Sequence, residues 1–353
     1  MSSRPKVFGH LLRDVIRKDL CVGCGTCVSV CPTMAIDFKD DSPALVGQCI
    51  ACGMCYANCP RTEHELEDME EEIFGKVRED EEELTGVMIN AYAVRAKDDD
   101  LRSDAQDGGA VTAILCSFLS SGGDAAIVAG TGSEKPWLPE PVVARDPEEV
   151  KKYAGTKYTS SPTMVGVLSA IKEFEADKIA VVGTPCQMLG LTRTRTGGFI
   201  SGKIDDAVEL KIGLFCMETY DYDKLMDYLE EQDIDPSKVT KFEIKSGKFY
   251  AYVEDKVIHE VKISQLKDLV RNCCHYCGDF ASELSDISVG NVGSPDKWST
   301  VITRTERGEE ALKKAEDSGF IEVKPLSEVK PGLSLVRKLS GMKKKQRKEV
   351  EED

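Results

Sequence analysis

The chain has 353 residues, of which 41% are hydrophobic and 31% charged, with a formal net charge of −16 and a pI near 4.9. Length and apolar content suffice for a sizeable core and for two or three domains. A surface this acidic repels nucleic acid and anionic membrane, which excludes both as main partners, and no run of about 18 apolar residues offers a transmembrane helix.

Met1 to His10 show no apolar core and no cleavage signature, so no signal peptide is expected and the chain is expected to be cytoplasmic. Residues 1–62 form the first expected domain, and it is dense in cysteine. The chain holds 14 cysteines, and in such a compartment clustered cysteines mean metal or redox chemistry rather than disulfides. Cys21, Cys24, Cys27 and Cys31 are followed by Pro32. Cys49, Cys52, Cys55 and Cys59 are followed by Pro60. Each cysteine of the second run lies 28 residues after its counterpart, so the module is an internal duplication. Three thiolates at two-residue steps wrap one iron–sulfur cube, and the fourth cysteine of each run reaches the other cube. One 4Fe–4S cluster therefore takes Cys21, Cys24, Cys27 and Cys59; the other takes Cys49, Cys52, Cys55 and Cys31. Zinc favours paired CxxC units with longer spacers. The module is similar to bacterial-type two-cluster ferredoxins.

Residues 63–85 are rich in glutamate and read as a solvated helical connector. A mixed domain follows over 86–335. Its expected strands are Val87 to Val94, Ala125 to Ala129, Ile179 to Val182 and Lys211 to Phe215. Helices are expected over Gly108 to Leu119, 148–153, 164–174 and 222–231. Phe249 to Val257 and His259 to Ile263 read as an antiparallel pair. Alternation followed by mixture gives an α+β or irregular, mixed α/β class, with no G-x-G-x-x-G after a strand and hence no Rossmann site. Residues 336–353 form a charged C-terminal tail, read as a frayed, solvated terminus rather than a docking helix.

Six cysteines remain. Cys116 lies in an apolar helix and reads as a buried small hydrophobe. Cys186 and Cys216 each follow an expected strand, where α/β folds gather functional side chains. Cys273, Cys274 and Cys277 follow later. Two single cysteines and one CxxC pair close a four-thiolate site, for a third cluster or for structural zinc, unless they are unliganded. Either Cys273 or Cys274 can pair with Cys277; the CxxC spacing favours Cys274. Gln106 to Thr112 forms a polar turn that opens a helix, an arrangement able to offer N–H groups to phosphate.

Several stretches together resemble the beta subunit of coenzyme F420-reducing hydrogenase and its relatives. They are Gln106-Asp107-Gly108-Gly109, Ala154 to Thr159, Pro185-Cys186-Gln187, Cys216-Met217-Glu218, Ser246 to Phe249, Cys274-x2-Cys277 and Val292 to Thr305. The resemblance implies an enzyme that exchanges a hydride between coenzyme F420 and FAD in a non-Rossmann fold, beside a third 4Fe–4S cluster on Cys186, Cys216, Cys274 and Cys277. It further implies an FAD pocket lined by Gln106, Asp107, Gly108, Gly109, Thr112, Gly155, Thr156, Lys157, Tyr158, Thr159, Gly293, Ser294, Ser299 and Thr300. No side chain is implied as acid or base. The added two-cluster module looks like that of an F420H2 dehydrogenase input subunit or of a component that feeds a heterodisulfide reductase. Partners are then other subunits of an electron-transfer complex, through which the chain can sit peripherally at a membrane. Lys157 and Lys248 are candidates for the anionic tail of F420 or the FAD pyrophosphate. A flavin reductase with another donor and a flavin-free electron-transfer protein are the rival readings.

Overall fold

The computed structural model describes residues 4–39, 42–132, 135–196 and 202–352. The first three residues of the lead-in and Asp353 of the tail lie outside the described residues.

In the cysteine module, β1 (Ile36–Lys39) and β2 (Ser42–Leu45) pair as an antiparallel hairpin. The two halves repeat one geometry. Gly25 (φ +81°) precedes the helix Thr26–Ser29, and Gly53 (φ +82°) precedes Met54–Ala57. Both positions need the left-handed backbone that glycine adopts without strain. Both are also crowded, because a Cβ would lie 2.9 Å from Val165 at Gly25 and 2.9 Å from Pro5 at Gly53.

The large domain contributes β3 (Asn90–Ala96), β4 (Ala125–Thr131), β5 (Pro139–Ala144), β6 (Ile179–Gly183) and β7 (Val208–Leu214). After them come β8 (Lys241–Lys245), β9 (Lys248–Val253), β10 (Lys256–Lys262), β11 (Ile287–Gly290), β12 (Ser299–Thr303) and β13 (Ile321–Pro325). Eight of these form one sheet in the order β13-β3-β12-β11-β7-β6-β4-β5. Its centre, β4-β6-β7-β11, is parallel, and the flanking strands are antiparallel. The class is mixed α/β. Helices cover both faces, so β4 and β6 read as nearly continuous apolar runs. Ala126 and Val128 enter one core with Ile114 and Leu115, while Ala125 and Ile127 enter the other with Met164 and Val167. Burying a side chain such as Ile127 contributes about 1.5–3 kcal/mol.

Several expectations move. The first strand starts at Asn90, because Val87 still belongs to the approach and its carbonyl accepts from Arg304 Nη1 at 2.7 Å. The antiparallel pair turns at Glu254 and Asp255, not at Ile258, where the register slips between Val257 and His259 instead. A third strand, β8, joins them. The connector is helical only over Leu66–Phe74 and Asp80–Glu82, and it is not wholly solvated. Glu70 is fully buried, and its carboxylate accepts from Arg78 Nε at 2.7 Å while Arg78 Nη1 donates to Glu283 at 2.5 Å. The C-terminal segment is a helix over Leu333–Glu352 that buries Val336, Ser340 and Lys343 against the domain. Its lysine run looks solvated because sequence alone does not say which charge faces inward.

Arg304 is buried in the sheet. It donates to the carbonyls of Thr85, Val87 and Ala281 and to Ser288 Oγ. Arg304→Met keeps the volume and strands those acceptors. It is expected to cost about 3 kcal/mol, read as a lower urea midpoint by circular dichroism.

Candidate functional site

Because β4, β6, β7 and β11 run parallel, their C-terminal ends share one edge of the sheet. Pairing of Gly290 with Thr300 and of Ser299 with Val94 brings the start of β12 and the end of β3 to that same edge. Cys186 follows β6 as the second residue of the helix Pro185–Thr196, and Cys216 follows β7. The segments after β3 and before β12 are those named above for a flavin.

Each cavity of the N-terminal module is lined by three cysteines of one run and the fourth of the other. Cys21, Cys24, Cys27 and Cys59 line one with Leu11, Val15 and Phe38. Cys31, Cys49, Cys52 and Cys55 line the second with Phe8, Leu45 and Ile50. Among the described residues, no three Cys, His, Asp or Glu side chains converge as ligands of a single ion. The thiols ring a space rather than meet at a point, which suits a cluster. Burial pushes the thiols of Cys24, Cys55 and Cys59 up to about 12, and neighbouring thiols add to the shift. Backbone amides already point at sulfur: Ala35 N donates to Cys31 Sγ at 3.3 Å and Ala51 N to Cys49 Sγ at 3.4 Å.

A third group forms in the large domain. The buried Cys186 thiol is pushed up to about 12 by burial, then by Cys277, with Cys24 and Cys274 contributing. Cys216 is raised by burial and by Cys274, Cys186 and Cys277. Thr219 N donates to Cys274 Sγ at 3.4 Å. The Cys273 S–H holds the Cys274 thiol low and is itself pushed up. Cys273 packs with Val22 and Cys24 of the N-terminal module. The third group thus abuts the cavity of Cys21, Cys24, Cys27 and Cys59. Hydrogen bonds fix that seam. Met164 N donates to Cys24 O at 3.0 Å, Ser160 Oγ to Val22 O at 2.8 Å, and Arg271 Nη2 to Cys21 O at 3.1 Å. Sequence reasoning missed Lys343, whose ammonium donates to Cys216 O at 2.5 Å. Burial opposes its charge, but the thiols of Cys277, Cys216 and Cys274 outweigh that and raise its pKa.

The flavin-assigned segments meet at the same edge. At Gly108 a Cβ would stand 2.6 Å from Val94 O and 2.7 Å from Ser299 N, so two of them touch through backbone. Tyr158 Oη donates to Gln106 Oε1 at 3.3 Å and accepts from Ile244 N at 2.8 Å. Ser294 Oγ and Thr300 Oγ1 are 2.7 Å apart. Thr112 is buried on the first turns of the helix Ala110–Ser120. Thr159 bridges to Tyr220, one residue from the Thr219 amide on Cys274. Asp107 is raised to about 6, by burial first and by Glu243 next, and Asn291 hydrogen-bonds to it. Its Oδ2 is buried with no partner among the described residues. Lys157 is half-buried, and its Nζ donates to the carbonyls of Tyr153, Ala154 and Gly155; desolvation pulls its pKa down to about 8. Lys248 instead pairs with Glu260 on the surface. No structural contact distinguishes Thr156, which is half-buried.

Residues 13–60 match the 4Fe–4S dicluster domain, which makes the N-terminal module a two-cluster iron–sulfur unit fused to a mixed α/β domain. The chain belongs to the family of the coenzyme F420 hydrogenase/dehydrogenase beta subunit: residues 91–168 match its N-terminal part and 176–329 its C-terminal part. The coenzyme F420 hydrogenase subunit beta of Methanothermobacter thermautotrophicus is 39% identical over 74% of this chain and 93% of its own length. A subunit of the F(420)H(2) dehydrogenase of Methanosarcina mazei is 33% identical over 95% of this chain and 92% of its own length, an alignment that takes in the cysteine module. A chain in the solved F420-reducing NiFe hydrogenase complex of Methanosarcina barkeri is 38% identical, with a TM-score of 0.72, covering 76% of this chain and 93% of that one. Among the described residues, no helix is long and apolar enough to cross a membrane.

Were the third thiol group to hold a cube, Cys277→Ala would remove its share of about four irons, whereas Cys273→Ala would not; elemental analysis decides. Lys343→Met withdraws a cation from the third thiol group. For a cluster held there, the midpoint potential would fall by roughly 50–100 mV, measured by EPR-monitored redox titration.

Proposed function

We propose that the protein is an F420-dependent oxidoreductase subunit. Hydride exchange takes place between coenzyme F420 and FAD, and single electrons are relayed through three 4Fe–4S clusters to or from a partner complex. The observation that carries this reading is the shared sheet edge: the flavin-assigned segments, the third thiol group and the first N-terminal cavity follow one another without a gap. When bound, FAD supplies the carrier that takes a hydride on one side and releases single electrons on the other.

The residues present fit such a group. Asp107 Oδ2 is a buried acceptor in want of a donor, and a ligand hydroxyl or ring N–H supplies one. Lys157 is a half-buried cation whose three N–H groups all go to carbonyls, so it would act on an anionic phosphate or carboxylate as a fixed positive charge. Trp298 is held between Arg95, 4.6 Å from its ring, and Lys324, 4.4 Å away, which fixes the Gly293–Thr300 loop. Tyr158 ties Gln106 to β8. None of these residues needs to move a proton; their work is alignment and exclusion of water. The ligands of the third cluster would be Cys186, Cys216, Cys274 and Cys277, with Cys273 turned toward the N-terminal module. The extent of the likeness to the Methanosarcina mazei dehydrogenase chain favours a dehydrogenase-type input subunit.

The direct test is an anaerobic assay of iron-replete, flavin-loaded protein with F420H2 and a viologen dye. Dye reduction is expected; its absence would remove the F420 assignment. Released FAD near one per chain is expected, and none would leave the flavin-free reading. Lys157 carries its charge below its pKa of about 8 and loses it above. Affinity for F420H2 or for FAD should therefore weaken as pH rises through 8. In Lys157→Gln that dependence should vanish, with affinity at pH 7 already about tenfold lower. If neither ligand responds, Lys157 does not hold an anion.

A further inference from the structure

From Ser42 to Pro60 the sequence holds no charged residue, in a chain that is 31% charged. Part of this stretch is at the surface. Residues Leu45 to Ala51 are all exposed, and so are Pro32 to Met34. Met34, Leu45, Val46 and Ile50 are 63%, 48%, 47% and 57% exposed. They form one patch, because the backbone laces the two segments together. Val46 N donates to Ala35 O at 2.8 Å, Gly47 N to the same oxygen at 3.2 Å, and Thr33 Oγ1 to Gln48 O at 3.2 Å. In its middle stands Cys49, itself exposed, and beneath it lies the cavity of Cys31, Cys49, Cys52 and Cys55. This is the cavity remote from the third thiol group, since Cys24 and Val22 of the other one make that contact. The remaining exposed large apolar side chains, such as Phe174 and Val77, lie singly or in pairs elsewhere along the chain.

Charge sets this end apart as well. Residues 1–62 hold seven Lys and Arg against five Asp and Glu, a balance of +2 within a total of −16. Arg4 and Lys6 are exposed, and the Pro5–Lys6 segment lies against Gly53 of the second run. On β1 Lys39 and Asp37 are both exposed, so three exposed cations, Arg4, Lys6 and Lys39, are set against one exposed carboxylate here among the described residues. Four apolar side chains are too few for a permanent interface, but an apolar centre with a charged rim suits a brief electron-transfer encounter.

We propose that this patch is the docking site for a protein that carries a one-electron centre under an apolar surface with an acidic rim, so that the electron crosses at the Cys49 edge. The proposal rests on the iron–sulfur part of the function given above. In each encounter one electron leaves the reduced centre beneath Cys49 and reduces the partner's centre, with no bond made or broken.

The test uses whole, iron-replete protein reduced anaerobically with dithionite and freed of excess reductant, so that no F420 step enters. It is mixed at low ionic strength with oxidised rubredoxin, a small acidic acceptor, or with horse-heart cytochrome c, a basic one. The rate constant for rubredoxin should exceed that for cytochrome c by about tenfold. Met34→Glu combined with Val46→Glu changes two side chains that do not line the cavity. This variant should lower the rubredoxin rate at least about tenfold. Its benzyl viologen reduction should stay within about twofold, because a small dye needs no docking surface. An unchanged rubredoxin rate in the variant, or a faster reaction with cytochrome c, overturns the proposal. So does a wild-type dimer in sedimentation that the variant turns into a monomer, for then a second copy covers the patch. Protein that passes dithionite electrons to rubredoxin but takes none from F420H2 fails the functional reading while leaving the docking site standing. Protein without iron and labile sulfide fails both.

Discussion

Arg193 carries a buried guanidinium into the seam between the cysteine module and the large domain. It donates to the carbonyls of Ala57, Thr62 and Glu63 and to Thr62 Oγ1. Burial lowers its pKa, and the Cys59 thiol partly restores it. Arg193 sits on the same helix that opens with Pro185 and Cys186, two turns further on. One rigid element therefore presents a candidate ligand of the third centre and grips the backbone on either side of Cys59. Hydrogen bonds to a charged donor are worth about 1.5–3 kcal/mol each, and none of these acceptors has an apolar substitute. The separation between the first and third thiol groups is set by a helix rather than by a linker.

The same logic of buried charge recurs across the molecule. Arg78 joins Glu70 of the connector to Glu283 of the domain, and Lys344 of the C-terminal helix reaches Glu283 at 3.1 Å. Connector and C-terminal helix are thereby tied to one carboxylate. Removing one partner of such a network leaves a charge stranded, which costs more than the pair contributes when intact. Arg304 is a buried charge whose hydrogen-bond partners are neutral: it caps carbonyls from the approach to β3.

The parts of this arrangement legible in the sequence are those with short-range signatures. The duplicated cysteine spacing needs only a few residues to be read. The strands β4 and β6 show as apolar runs because both their faces are buried. Cys186 and Cys216 could be suspected because they follow such runs. Other parts were hidden for physical reasons. Lys343 lies in a run of three lysines, and only the path of the helix decides which one turns inward. Arg193 looks like any charge on a polar helix, since its partners are backbone carbonyls more than a hundred residues away. The slip at Val257–His259 reads as a turn because a bulge and a turn both interrupt alternation. Asn291, beside Asp107, has no local pattern at all. The choice between Cys273 and Cys274 depends on which of two adjacent side chains faces the third group, and no spacing records that.

The C-terminal helix has a consequence for assembly. The two N-terminal cavities are lined by residues of the first sixty or so positions, so their thiols are all in place early in synthesis. The third group draws on Cys186, Cys216, Cys274 and Cys277, and its covering ammonium comes from Lys343. A ribosome must have delivered nearly the whole chain before that pocket is walled off from solvent. Chain order therefore sets an order of closure: both N-terminal cavities can form from the first sixty or so residues, whereas the third thiol group is covered only once the last helix packs over it.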